Sequence, residues 1–239
     1  MPFYTTTWFM ATVGGIVNLG GTILGTHNRA NPFHYFGAGG ADVSAQVIQY
    51  INELGLDALV AIGGDGTMEI AHQLNALGVP VVGVPKTIDN DLMHTERSFG
   101  FDSAVAIVAE AIGRLETTAS SHGRVMIVET MGRYAGWIAL EAGLAGGADV
   151  ILIPELPYDV AAIAALCRRR EAAPGYTIIC IAEGARPAGG TLTVQAMLPD
   201  SPDPIRLGGV GHLLREQLHP QLASEVRTTL LGHVQRGGT

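Results

Sequence analysis

The apolar run Leu59-Val60-Ala61-Ile62 gives way at once to Gly63-Gly64-Asp65-Gly66-Thr67. A stretch with apolar residues at helical spacing follows (Met68, Ile70, Ala71, Leu74, Leu77). Strand, glycine loop and amphipathic helix in that order constrain the chain more than any other feature. The turn must bring a strand end and a helix N-terminus together, where free backbone N–H groups suit a phosphate. Thr67 stands where an N-cap would. Taken alone, the same residues also fit a tight strand-to-helix turn that binds nothing.

A second break of this kind lies downstream. Residues 79–84 read as a buried strand with Pro80 near its start, and the chain then turns polar at Pro85-Lys86-Thr87-Ile88-Asp89-Asn90-Asp91. An extended backbone there would point the carboxylates of Asp89 and Asp91 the same way. Paired carboxylates at the end of a strand suit proton abstraction and divalent-metal binding. An Asx-rich turn fits the bare Asp-Asn-Asp as well, and the polar loop just upstream favours the chemical reading.

The rest of the pattern alternates. Residues 42–54 form a helix, with Val43, Val47, Ile48, Ile51 and Leu54 on one face and Gly55 as its stop. Residues 101–117 form a longer helix. Residues 124–129 form a strand, 135–144 a helix, and 150–153 a strand stopped by Pro154. Residues 160–171 form a helix whose Arg168-Arg169-Arg170 reads as a solvated end favoured by the macrodipole. Residues 176–182 form a strand ending at Glu183-Gly184, residues 188–207 a loop or β-turn region rich in Pro, Gly and Asp, 209–218 a helix, and 227–231 a last strand. Residues 1–18 show no clear periodicity and fit either a strand or an unstructured start. Strands alternating with helices predict an α/β fold of two doubly wound parallel-sheet lobes, with the active site in the cleft between them. Every polar motif falls at the C-terminal end of a strand, where open α/β sheets bind ligands. The helix 101–117 joins the lobes, which divides the chain near Gly100 into a first lobe, 1–100, and a second, 101–239.

Composition narrows the function classes. A formal charge of −8 disfavours nonspecific nucleic-acid or membrane-surface binding, although a local group of arginines can still hold a small anion. Cys167 and Cys180 form no metal-ligand or redox spacing, which predicts a reducing, cytoplasmic setting. No apolar run approaches the roughly 18 residues of a membrane span. No basic residue precedes Arg29, which argues against a signal peptide.

Four motifs in this order resemble the 6-phosphofructokinase family. They are Gly63-Gly64-Asp65-Gly66-Thr67, Pro85-Lys86-Thr87-Ile88-Asp89-Asn90-Asp91, Met131-Gly132-Arg133-Tyr134-Ala135-Gly136 and Leu231-Gly232-His233-Val234-Gln235-Arg236-Gly237-Gly238. The resemblance runs from about Gly20 to the last residue. It implies a glycolytic enzyme that transfers a phosphoryl group from ATP, with Mg2+, to the 1-hydroxyl of fructose 6-phosphate. In that reading Asp89 matches the general base, and Thr87 and Asp91 support it. Asp65 matches the aspartate that binds the metal–donor complex. Gly64, Gly66 and Thr67 match the phosphate cradle, and Arg29 an arginine on the donor nucleotide. Arg124, Arg227, His233 and Arg236 match residues that bind fructose 6-phosphate. Met131, Gly132 and Arg133 match the sugar-contacting turn, and Glu183 a carboxylate that holds sugar hydroxyls. Guanidinium forks suit phosphate oxygens. The family's counterparts of Arg124 and Arg227 reach into a neighbouring subunit, which implies a homo-oligomer.

Two positions bear on the donor. Gly66 stands where pyrophosphate-using relatives carry an aspartate that would crowd and repel a nucleotide's α-phosphate. Lys86, the only lysine in the chain, matches the pyrophosphate users. Together they resemble a mixed-substrate subgroup of the phosphofructokinase A type that uses ATP, and pyrophosphate is the alternative donor. Relatives usually begin with a strand and a Gly-Gly-Asp-x-Pro-Gly-x-Asn loop and continue past the Gln-Arg-Gly-Gly segment. The resemblance therefore implies a chain truncated at both ends, and a fragment that binds sugar phosphate without turnover is a further alternative. NAD and diacylglycerol kinases share a Gly-Gly-Asp-Gly-Thr loop, but the Ile-Asp-Asn-Asp and His-Val-Gln-Arg segments argue against them.

Overall fold

The computed structural model describes residues 15–16, 19–23, 25–27, 30–172, 175–197 and 204–237. Arg29 and Gly238, and all but two of residues 1–18, lie outside the described residues. The described strands form a parallel three-stranded sheet, a parallel four-stranded sheet and an antiparallel pair.

The first sheet is built from β1 (Leu59–Gly63), β2 (Val81–Thr87) and the short β3 (Phe99–Gly100), in that order. Helices α1 (Ser44–Glu53) and α2 (Asp65–Ala76) cover one face through a small core of Ile51, Leu74 and Val79, with Leu59 and Val81 packed against it. Among the described residues the other face is open: Val60, Ile62 and Val82 are 60–65% exposed. The polar break falls later than the apolar run suggests. β2 continues through Pro85, Lys86 and Thr87, because its backbone still pairs with β3 (Lys86 with Phe99, Thr87 with Gly100).

The second sheet holds β4 (Val125–Thr130), β5 (Val150–Leu152), β6 (Thr177–Ala182) and β9 (Val226–Leu230) in the order β5-β6-β4-β9. Every residue of β4 and β6 is buried, as the unbroken apolar runs require for strands covered on both sides. Alternate side chains feed two cores. Val125, Ile127, Ile179 and Ile181 meet α5 (Val160–Glu171) and α6 (Val210–Leu218). Met126, Val128, Ile178 and Cys180 meet α3 (Phe101–His122) and α4 (Trp137–Ala145).

Helix α3 outruns the expected residues 101–117 by five, to His122, with Ala119 still in the core. Its polar end satisfies itself: Ser121 Oγ donates to the Thr117 carbonyl, and Gly123, at φ 61°, closes the helix. Residues 194–197 (β7) and 205–207 (β8), expected as part of a loop or β-turn region, pair as antiparallel strands. The arginine run on α5 is only partly a solvated end. Arg170 donates to the Tyr176 carbonyl and pairs with Asp149, and Arg168 donates to the Gln221 carbonyl.

Candidate active site

Parallel pairing of β1 with β2 sets Gly63 opposite Pro85, so the two polar motifs leave the sheet side by side. A methyl group on Gly64 would stand 3.4 Å from Thr87 Cβ, so a larger residue would press on the second motif. Helix α2 begins at Asp65 with Gly64 as its N-cap, which puts Thr67 inside the first turn instead of at the cap. Asp65, Gly66 and Thr67 are exposed at that N-terminus. Nothing lies within 4 Å of where a Cβ on Gly66 would sit. Among the described residues no three His, Cys, Asp or Glu side chains gather as a metal cage. A lone exposed carboxylate at a helix N-terminus nevertheless suits Mg2+, which takes one or two protein carboxylates and fills its shell with water and substrate phosphates.

The Asp89-Asn90-Asp91 stretch is not extended. Asn90 has φ 54°, which turns the chain and overturns the expectation of carboxylates aligned by strand alternation. Asn and Asp tolerate that region better than other side chains. Asp89 is half-buried, and its backbone N–H donates to Thr87 Oγ1 at 3.2 Å. Burial, with the Asp91 charge beside it, pushes the Asp89 carboxyl up to about 6, against the pull of Arg133 and Arg236. Ile88 packs against the core beneath α3 and so docks this loop on the second sheet.

The opposite wall comes from the C-terminal ends of β4, β6 and β9. Gly132 (φ 132°) and Arg133 (φ 51°) form a tight turn after β4. The Arg133 N–H donates to Glu183 Oε1 at 3.0 Å, and the Glu183 N–H donates to the Thr130 carbonyl at 2.8 Å. Gly184 allows this approach, since a Cβ there would overlap the Arg133 carbonyl. Burial, opposed by the Arg133 hydrogen bond and reinforced by the charges of Asp89 and Glu129, raises Glu183 to about 7. Asp89 therefore feels both Arg133 and Arg236, and Glu183 feels Asp89 and Arg133. Met131 is held by its N–H, which donates to Gln235 Oε1 at 3.3 Å. His233 and Arg236 are exposed on the 3-10 turn Gly232–Arg236. Lys86 is exposed one residue before Thr87.

Arg124 and Arg227 are not brought to this place. They lie at the N-terminal ends of β4 and β9, whose register pairs Val125 with Val226. A strand of this length puts them roughly 20 Å from the end that carries Arg133 and Glu183. There they share one carboxylate: Arg124 Nε sits 2.7 Å from Glu225 Oε2, and Arg227 pairs with Glu225 Oε1.

Two positioning residues escaped sequence reasoning. Glu129, buried within β4, accepts the N–H groups of Gly209 (2.8 Å) and Gly211 (2.7 Å) at the start of α6. A charged residue inside an apolar strand run needs such partners, and that mismatch was its available signal. Gln235, 1% exposed, also donates to the Gly232 carbonyl at 3.1 Å. Its signal was an amide in the middle of a polar motif.

The phosphofructokinase family pattern matches residues 4–239. The chain belongs to the phosphofructokinase family. It is 50% identical over 235 residues to ATP-dependent 6-phosphofructokinase 2 of Clostridium perfringens, covering 95% of this chain and 64% of that protein. It is 49% identical over 228 residues to the pyrophosphate–fructose 6-phosphate 1-phosphotransferase of Streptomyces coelicolor, covering 95% of this chain and 65% of the relative. The solved phosphofructokinase of Saccharomyces cerevisiae superposes with a TM-score of 0.76 at 30% identity, covering 97% of this chain and 32% of that one. The chain thus spans a little under two thirds of the length of these bacterial phosphofructokinase relatives. No helix among the described residues is long and apolar enough to cross a membrane.

Proposed function

We propose that this polypeptide, alone or with the remainder of the fold found in its relatives, transfers a phosphoryl group from ATP to the 1-hydroxyl of fructose 6-phosphate. The observation that carries the reading is Asp89. A half-buried carboxyl raised to about 6 is held through its N–H by Thr87, the residue that faces Gly64 of the cradle, and lies within the field of Arg133 and Arg236. A base of that strength is ionised at neutral pH and strong enough to take an alcohol proton as the bond to phosphorus forms. Thr87 holds the Asp89 backbone, and Asp91 raises its basicity. Asp65 would hold the Mg2+–ATP complex, with Gly64, Gly66 and Thr67 offering backbone groups to the phosphates; Arg29, by resemblance alone, is the nucleotide's arginine. The metal supplies charge neutralisation on those phosphates. Met131, Gly132, Arg133, Glu183, His233 and Arg236 orient the sugar phosphate, and guanidinium groups gather where its negative charge lies.

Residues 1–100 form the donor lobe and 101–239 the sugar-phosphate lobe of a cytoplasmic homo-oligomer. Arg124 and Arg227, remote from their own chain's catalytic end, serve the site of a second copy. The donor is ATP because the space beside Asp65 at Gly66 is open. Lys86 keeps pyrophosphate as the second reading.

A coupled assay with fructose 6-phosphate, Mg2+ and either donor tests this. Turnover with ATP is expected, and Gly66→Asp should abolish it. Turnover with pyrophosphate alone would replace the donor assignment. Sugar-phosphate binding without product from either donor would make this chain a non-catalytic part of the fold.

A further inference from the structure

We propose that Asn90, which no role above uses, is the positioning residue for Asp89: its side-chain amide clasps the loop 87–98 shut, and its backbone turns the chain between the paired aspartates. The inference rests on Asp89 being the base of the reaction proposed above.

The loop is closed by a short series of hydrogen bonds. Asn90 Oδ1 accepts the Ser98 N–H at 2.8 Å, and Asn90 Nδ2 donates to the Glu96 carbonyl at 3.2 Å. Ser98, 4% exposed, returns the chain to the strand by donating its Oγ to the Thr87 carbonyl at 2.8 Å. Asp89 therefore sits between fixed points. Thr87 is paired in β2 and holds the Asp89 N–H, while Asn90 on the other side is tied to the far end of the loop. Residue identity at position 90 is narrowly set. The φ of 54° disfavours all but Gly, Asn and Asp. Of these, only Asn offers one donor and one acceptor at the same reach. Glycine would make neither bond. Aspartate could still accept from Ser98, but it cannot donate to Glu96 and would add a third carboxylate to the pair.

The functional consequence is distance control. Displacing a reacting group by about 1 Å costs on the order of a hundredfold in rate, and the Asn90 side chain ties the residue next to the base to both Glu96 and Ser98 at the far end of the loop. The groups acting on Asp89 are Asp91 on the same loop, Arg133 after β4, Arg236 on the C-terminal 3-10 turn and Glu183 after β6. Freeing the loop alters its distance to all of them.

The test compares Asn90→Gly, which keeps the backbone unstrained and removes both bonds, with Asn90→Asp, which keeps one. In Asn90→Gly, kcat is expected to fall about a hundredfold, while KM for each substrate changes less than about threefold and the unfolding midpoint stays near that of the parent. Asn90→Asp should fall less, with the acid limb of its rate profile moved to higher pH by the added charge. Carboxyl titration of Asp89 by carbon-13 NMR provides a readout without turnover. Its midpoint, about 6 in the parent, should drop toward the ordinary carboxylate range in Asn90→Gly as water enters. A parent chain without turnover counts against the proposed reaction and leaves the NMR midpoint to decide this inference. A kcat within twofold of the parent, or an unchanged Asp89 midpoint, overturns it.

Discussion

The two parallel sheets use the same local grammar and are covered very differently. In the second, β4 and β6 are buried throughout, between a core shared with α3 and α4 and another shared with α5 and α6. In the first, the described helices cover one face only, and the core amounts to Ile51, Leu74 and Val79. The proposed base and donor cradle stand on the lightly covered sheet, and the sugar-side turns on the thickly covered one. The difference teaches that a site between two such bodies can have one stiff wall and one compliant wall. Local opening free energy follows buried apolar contact. The base is kept in place by its loop's own clasp and by Ile88, which reaches across into the other core.

The largest effect should come from the compliant side. Asp89→Asn is expected to lower kcat about a thousandfold, roughly 4 kcal/mol of barrier. Its unfolding midpoint at pH 8 should be unchanged or higher, because a carboxyl raised by burial costs stability when ionised. In the parent, kcat should climb with pH through about 6, as the base loses its proton. A rate indifferent to pH between 5 and 7 would remove Asp89 from the chemistry.

Next comes a contrast of cores. Ile179→Ala, at a site with no exposed surface, should cost about 4 kcal/mol in a denaturant titration, and Leu74→Ala about 2, since the thinner layer around Leu74 can relax. Equal losses would break the stiff-and-compliant distinction. Glu183→Gln sharpens it on the sugar side. The folded-state carboxyl is raised to about 7 from an ordinary value of 4.5. The stability it contributes is therefore complete below pH 4.5 and lost as the pH rises through about 7. The variant should gain on the order of 2 kcal/mol over the parent at pH 8 and nothing at pH 4; a gain independent of pH would show that packing, not ionisation, is responsible.

The smallest effect is expected at Arg97. This exposed side chain pairs with Asp102, reaches Glu141 on α4 at 3.0 Å and lies over the Phe101 ring at 5.4 Å. Arg97→Ala should cost less than about 1 kcal/mol and shrink further in high salt. A larger loss would make the link between the catalytic loop and α4 a principal tie between the sheets.

Much of the second sheet was legible because burial on both faces writes itself as continuous apolar runs, and helix α5 was read to the residue. What escaped depends on backbone pairing or on local φ. Lys86 and Thr87 extend β2 by hydrogen bonding to β3, and hydropathy does not register that. The residues of β7 are all exposed, so no core-facing period marks that strand. The left-handed Asn90 looked like one member of an alternating acidic stretch, yet it is where alternation fails. The polar motifs read as strand C-terminal ends, and strands beginning at 124 and 227 already set Arg124 and Arg227 at the opposite end. Arg124 and Arg227 resemble substrate residues and stand at the far end of β4 and β9.

Glu129 has one more consequence. Because it captures Gly209 and Gly211 directly, the chain re-enters the fold after β8 at a fixed docking point. Glu129 thereby fastens the strand that carries the Gly132–Arg133 turn to the start of α6.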